Sequence, residues 1–178
     1  MKSITKALLG IGMLAGLSGT AFAADAYTPE AVVSDSAFYI RGDLGWSWLN
    51  TDDNSNSAFV GGGGVGYKFN SNLRADVRGD LAGLGNGDQY FNSVLGNVYF
   101  DIPTQTIVTP YLGAGVGYGW SDDGDKGGKK DGAAFAAMAG IEVSLTDNLS
   151  ADIGYRYRQI FSEDVYANEA LVGLRYSF

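Results

Sequence analysis

From position 37 onward the chain alternates. Apolar side chains recur at every second residue in runs of about ten, which is the period of a β-strand with one apolar face. The last twelve residues, Ala167 to Phe178, show it well. Ala170, Val172, Leu174, Tyr176 and Phe178 share one parity, and Leu171, Gly173, Arg175 and Ser177 the other. Seven further runs follow the same rule: Ala37 to Leu49, Ala58 to Phe69, Leu73 to Leu84, Tyr90 to Phe100, Val108 to Trp120, Ala133 to Leu145, and Leu149 to Gln159. Leu73 to Leu84 is the clearest, with Leu73, Ala75, Val77, Gly79 and Leu81 alternating against Arg74, Asp76, Arg78 and Asp80. The outward parity of Asn92 makes the start of the fourth run the least regular.

The pattern predicts eight strands, each of the length that a tilted strand needs to cross a bilayer. Turn formers separate them. Asn70-Ser71-Asn72, Asp101 to Ile107 and Thr146-Asp147-Asn148 read as short turns. Asn50 to Ser57, Gly85 to Gln89, Ser121 to Gly132 and Ile160 to the last strand read as loops on the other side. Short turns inside and longer loops outside are the asymmetry of an outer-membrane barrel.

Charge sharpens this. Away from strand tips the strands hold Arg41, Asp43, Lys68, Arg74, Asp76, Arg78, Asp80, Glu142, Asp152, Arg156, Arg158 and Arg175. Every one lies on the face opposite the apolar one. In lipid the reason is cost, since an outward Arg or Lys near the midplane is unfavourable by roughly 2–4 kcal/mol. The same parity would fit a soluble eight-stranded barrel turned inside out. Three features favour the membrane. Trp46, Trp48, Phe59, Tyr118, Trp120 and Tyr157 gather at loop-side strand ends, and Phe38, Phe69, Phe100, Tyr176 and Phe178 at the opposite ends, as two interfacial girdles. The chain ends on an aromatic residue. It also begins with an export signal.

That signal is Met1 to Ala23: Lys2 and Lys6, an apolar run from Ala7 to Leu17, and the small-x-small site Ala21-Phe22-Ala23. The run is shorter than the ~20 residues of a membrane helix. Cleavage between Ala23 and Ala24 removes both lysines and takes the net charge from −8 to −10. Residues 24–36 read as a periplasmic lead-in, and residues 37–178 as one all-β, eight-stranded, antiparallel up-and-down transmembrane barrel.

The chain contains no cysteine and no histidine. This excludes thiolate and imidazole metal sites and the Ser-His and Cys-His nucleophiles. The net charge of −8 argues against a nucleic-acid surface. The run Gly61 to Gly66 matches G-x-G-x-x-G in form, but no helical pattern follows it and no cofactor is expected. Gly62, Gly64 and Gly66, with Gly113 to Gly119, instead leave interior room for long arginines. Asp122, Asp123 and Asp125 lack the acid that a calcium loop needs at its twelfth position, where Ala134 stands. A solvated loop, with weak divalent bridging to lipopolysaccharide at most, is the reading there.

The signal peptide, the glycine-rich alternating strands and the closing Val172-Gly173-Leu174-Arg175-Tyr176-Ser177-Phe178 resemble the small alphaproteobacterial outer-membrane surface-antigen family, often labelled "porin family", whose barrel is similar to the OmpA membrane domain. The resemblance implies that Leu174, Tyr176 and Phe178 form the signal read by the barrel-assembly machinery. It also implies a surface role, with outer-membrane lipid, lipopolysaccharide and host surface molecules as partners. The twelve strand charges are expected to form an ion-pair network filling the lumen of a structural, non-enzymatic barrel of the Gram-negative outer membrane. A narrow passive pore and a lipid-modifying enzyme are the competing readings.

Overall fold

The computed structural model describes residues 38–51, 54–83, 89–123, 129–161 and 166–178. The export signal, its Ala23/Ala24 cleavage site and the lead-in lie outside them. Eight strands follow in order: β1 (Phe38–Thr51), β2 (Asn54–Lys68), β3 (Leu73–Gly83), β4 (Gln89–Asp101), β5 (Val108–Asp123), β6 (Lys129–Ser144), β7 (Leu149–Ile160) and β8 (Tyr166–Ser177). Each pairs antiparallel with the next, and β8 returns to β1 to close the barrel. The closing ladder runs from Tyr39↔Ser177 to Asn50↔Tyr166. Closure leaves no unpaired sheet edge, which is the condition for a strand structure to sit in hydrocarbon.

Side chains lock the tight turns. The Asn70 carboxamide oxygen accepts from the backbone N–H of Asn72 and Leu73 at 2.8 and 2.9 Å. The Thr146 hydroxyl oxygen does the same for Asn148 and Leu149 at 3.3 and 3.0 Å. Asn148 also ties down the final strand, its carbonyl accepting from the Ser177 N–H at 2.8 Å. These are the Asx- and ST-turn mechanisms behind the turn propensities of Asn and Thr.

At the other end the strands run further than the apolar alternation does. Thr51 pairs with Asn54, and Asp122 with Lys129. Most of the stretch from Asn50 to Ser57, expected as a loop, is therefore strand, and β5 and β6 climb beyond Trp120 and Ala133. A ladder needs only backbone groups, so it continues above the membrane, where apolar side chains stop being selected.

The inside-out question has a direct answer. Arg156, Arg158 and Glu169 are 0% exposed, whereas Val116 is 67% and Leu81 66% exposed. Exposed Leu44, Val65, Val77, Val116, Ile153 and Val172 lie around the whole circumference. A belt of that size in water would be an aggregation surface; in lipid it is the solvated face. Val116, midway along β5, supplies a check. Val116→Arg is expected to lower the unfolding free energy in lipid vesicles by about 2–4 kcal/mol in a urea titration.

Candidate functional site

The lumen is the only place where the fold gathers chemistry-bearing side chains, among the described residues. Inward parity sends six arginines and seven carboxylates into it, all buried: Arg41, Arg74, Arg78, Arg156, Arg158 and Arg175 with Asp43, Asp76, Asp80, Asp101, Glu142, Asp152 and Glu169.

They are arranged in levels along the barrel axis. Near the turn end, the Arg74 Nε donates to Asp101 at 2.9 Å, and its guanidinium lies over the rings of Tyr99 and Tyr111 at 4.2 and 5.0 Å. Arg175 pairs with Glu142 and lies 5.3 Å over Tyr39. In the middle, Arg41 grips Asp43 with two N–H groups, at 2.6 and 3.0 Å, and reaches Asp152 at 3.3 Å and Asp76 at 3.6 Å. Arg78 bridges Asp43 at 3.2 Å and Asp80 at 2.9 Å. Toward the loop end, Arg156 joins Asp80 at 2.8 Å to Glu169, and Arg158 reaches Glu169 at 2.5 Å and the Ser93 hydroxyl at 2.6 Å.

Every buried carboxylate therefore has at least one arginine partner. Planar guanidinium–carboxylate forks are the geometry that compensates a charge removed from water. The remaining acceptor sites are filled by neutral donors: Asn97 to Asp76 at 2.7 Å, Tyr39 to Asp76 at 3.2 Å, and Tyr111 to Asp152 at 3.3 Å. No group of His, Cys, Asp or Glu among the described residues could hold a metal ion.

One step further toward the loops the lumen changes character. The inward residues next after Asp80, Ser93, Arg158 and Glu169 are Ala82, Phe91, Ile160 and Ala167, each at most 3% exposed. Val60 and Ala134 join them in one apolar cluster. Arg158 lies under this layer with its guanidinium 4.1 Å from the Phe91 ring centroid.

The structure revises the charge set at both ends. Lys68 has the right parity but is exposed as the last residue of β2, opposite Arg74 in register. Arg74 already uses Asp101, and a second cation there is better placed in water. Glu169 and Asp101, which a set drawn away from strand tips and turns leaves out, are both buried acceptors. Glu169 shares the parity of Arg175, a signal present in the sequence. Phe91 and Ile160 share the parity of Ser93 and Arg158, and the assumption that large apolar residues face lipid hid them.

The glycines also act differently from expectation. They clear space for cross-strand neighbours of several kinds; Gly64 does stand against an arginine, its added Cβ lying 3.0 Å from the Arg78 Cβ. A Cβ on Gly66 would strike the Tyr39 ring, one on Gly113 would come within 2.6 Å of the Tyr99 ring, and one on Gly115 would strike the Asn97 side chain. On Gly117 it would lie 2.9 Å from the Leu95 backbone. The formal dinucleotide motif from Gly61 to Gly66 is continuous strand, with every glycine in register with β1 and β3. Asp122 and Asp123 end β5, and Asp125 lies outside the described residues.

Comparison with known proteins fixes the family. The model of the outer membrane protein beta-barrel domain matches residues 11–178. The chain belongs to the outer-membrane protein β-barrel family. Its place is accordingly the outer membrane of a Gram-negative cell. Relatives of this barrel include uncharacterised proteins of Brucella suis and Brucella abortus, each 28% identical over 235 residues, covering 90% of this chain and 82% of theirs. Among solved structures, Neisserial surface protein A superposes with a TM-score of 0.71 at 24% identity, covering 79% of this chain and 97% of that one. The N-terminal barrel domain of Pseudomonas aeruginosa OprF gives 0.60 at 15%, covering 79% and 97%. Ail, the attachment invasion locus protein of Yersinia pestis, gives 0.56 at 20%, covering 80% and 99%. At these identities the likeness establishes the barrel architecture alone.

Proposed function

We propose that this outer-membrane barrel is structural: a barrel plugged by its own side chains that contributes to envelope integrity and holds its loop-end connections at the cell surface. The observation that carries the reading is the stack of buried arginine–carboxylate pairs beneath the tightly buried layer of Phe91, Ile160, Ala82 and Ala167. An eight-stranded barrel is just wide enough for side chains to fill, and a conduit needs a continuous polar path through the Phe91–Ile160 level. Outer-membrane lipid and lipopolysaccharide are the proposed partners of the exposed apolar belt. Host surface molecules are the proposed partners at the loop end, and the barrel-assembly machinery is the proposed reader of Leu174, Tyr176 and Phe178. A catalytic role is disfavoured because the carboxylates are held by arginines and the chain has no histidine.

A deletion strain tests this. Raised detergent sensitivity and vesiculation, restored by the intact gene, is the expected result. Unchanged envelope behaviour would contradict it, and a deletion-dependent change in lipid A acylation would point to an enzyme. Assembly has its own check. Phe178 is exposed at the turn end of the seam, its N–H donating to the Phe38 carbonyl at 3.1 Å. Removing Phe178 is expected to cut the heat-modifiable folded form on gels while leaving export intact, and an unchanged folded fraction would count against an assembly role.

A further inference from the structure

The two ends of the lumen are closed differently. At the loop end the arginine stack lies under Phe91 and Ile160, and the side chains of Arg158 and Glu169 are 0% exposed, against 6% and 10% for Arg175 and Glu142 at the turn end. No apolar layer follows on the turn side. Beyond Arg74, Glu142 and Arg175 the inward positions are Lys68, Thr109, Ser144, Ser150 and Ser177, all exposed or half-buried.

Positive charge is in excess at that mouth. Each of the six buried arginines has a carboxylate partner. Lys68 has no ion pair among the described residues, and it stands in register with Arg74. Arg74 directs its Nε to Asp101, while its Nη1 is buried without a hydrogen-bond partner. Lys68, Arg74 and Arg175 thus face only Asp101 and Glu142, so the level is one carboxylate short.

The chain carries such a carboxylate next to the mouth. β1 enters at Phe38, opposite Tyr67, so the preceding position of the ladder falls opposite Lys68. Followed back along the sequence, the inward parity of Tyr39, Arg41 and Asp43 falls on Ala37 and Asp35. Asp35 is then the diagonal cross-strand neighbour of Lys68, at a separation of ~7–8 Å that a lysine side chain can span. Residues 24–36, outside the described part, contain the acids Asp25, Glu30 and Asp35 and no base. At ~3.3 Å per residue they are long enough to cross the roughly 16 Å mouth of an eight-stranded barrel.

We propose that residues 24–36 fold back across the turn-side mouth, Asp35 pairing with Lys68 beside Arg74, and cap the lumen at the end that lacks an apolar layer. This cap rests on the plugged-barrel reading for its purpose, but it is measured separately, because conductance reports on the Phe91–Ile160 level.

The chain has no cysteine, so Ser150→Cys places a single thiol inside the turn-side mouth. Its reaction rate with a charged, water-soluble maleimide is measured on the full mature barrel in lipid nanodiscs, where both ends meet water. The expected rate is about threefold below that of the same barrel started at Ala37, the scale of protection that one exposed pair sustains. Asp35→Lys and Lys68→Glu are each expected to raise the rate to the truncated level, and the two together to restore the slow rate. Only barrels giving the heat-modifiable folded form on gels are compared, and Asp35→Asn, which leaves the eight strands untouched, is expected to raise the rate should Lys68→Glu not fold. Equal rates with and without residues 24–36 would overturn the cap. A double reversal as fast as either single one would overturn the Asp35–Lys68 pair. A wild-type pore that keeps the slow thiol would contradict the plugged lumen and support the cap.

Discussion

Glu169→Leu is expected to lower the unfolding free energy of the barrel in lipid vesicles by about 3–5 kcal/mol, read as a shift of the urea midpoint at unchanged slope. The basis is geometric. The Glu169 carboxylate is fully buried, and it is the shared acceptor of Arg156 and Arg158, with the Ser47 hydroxyl donating to it at 3.4 Å. Its removal leaves two guanidiniums on neighbouring inward positions of β7, one holding Asp80 and the other only the Ser93 hydroxyl. An uncompensated buried cation is far more costly than a lost surface pair. The matched control is Lys68→Leu, which changes one charge at the exposed end of β2 and is expected to stay within about 0.5 kcal/mol. Raising the salt separates the two further, because ions screen exposed charges and barely reach the interior. Comparable losses for Glu169→Leu and Lys68→Leu would contradict the assignment of the network to the six arginines and seven acids.

Phe91→Ala is the second large effect, also expected at about 3–5 kcal/mol. Phe91 is the largest side chain of the apolar layer and is 1% exposed. Its neighbours Ala82 and Ala134 are too small to collapse into the void, so most of the cavity term persists. Its ring also covers the Arg158 guanidinium, an interaction worth about 2 kcal/mol or more when desolvated. The same substitution admits water to the level of Arg158, and a cysteine placed at Ala82 should then react with a water-soluble thiol reagent added from outside. A loss below about 1 kcal/mol, the scale of an ordinary surface change, would show that the layer is not packed as described.

The sequence carried the architecture because the bilayer imposes a period of two on each strand and a cost on each misplaced charge. Eleven of the twelve charges assigned to the lumen are buried there. Lys68 failed because parity gives the face of a residue and not its depth, and a strand end of the right face still opens to water. Glu169 and Asp101 were missed for the converse reason: barrel walls extend past the apolar alternation, so residues read as tips lie inside. The Phe91–Ile160 layer was invisible to a rule that sends large apolar side chains to lipid. Its members are recognisable only as the next inward steps after Ser93 and Arg158. Individual strand ends followed the turn chemistry at Asn70 and Thr146 well, where a side chain fixes the reversal. They followed poorly near Thr51 and Asp122, where backbone pairing alone carries the ladder onward.

Single-channel recording of the intact barrel in planar bilayers tests the central claim most directly. The plugged lumen predicts a flat baseline under applied voltage, with unitary steps absent from wild type. Steady ohmic conductance of the wild-type barrel, reproducible between insertions and altered by substitution at Ile160, would contradict it and establish the narrow pore.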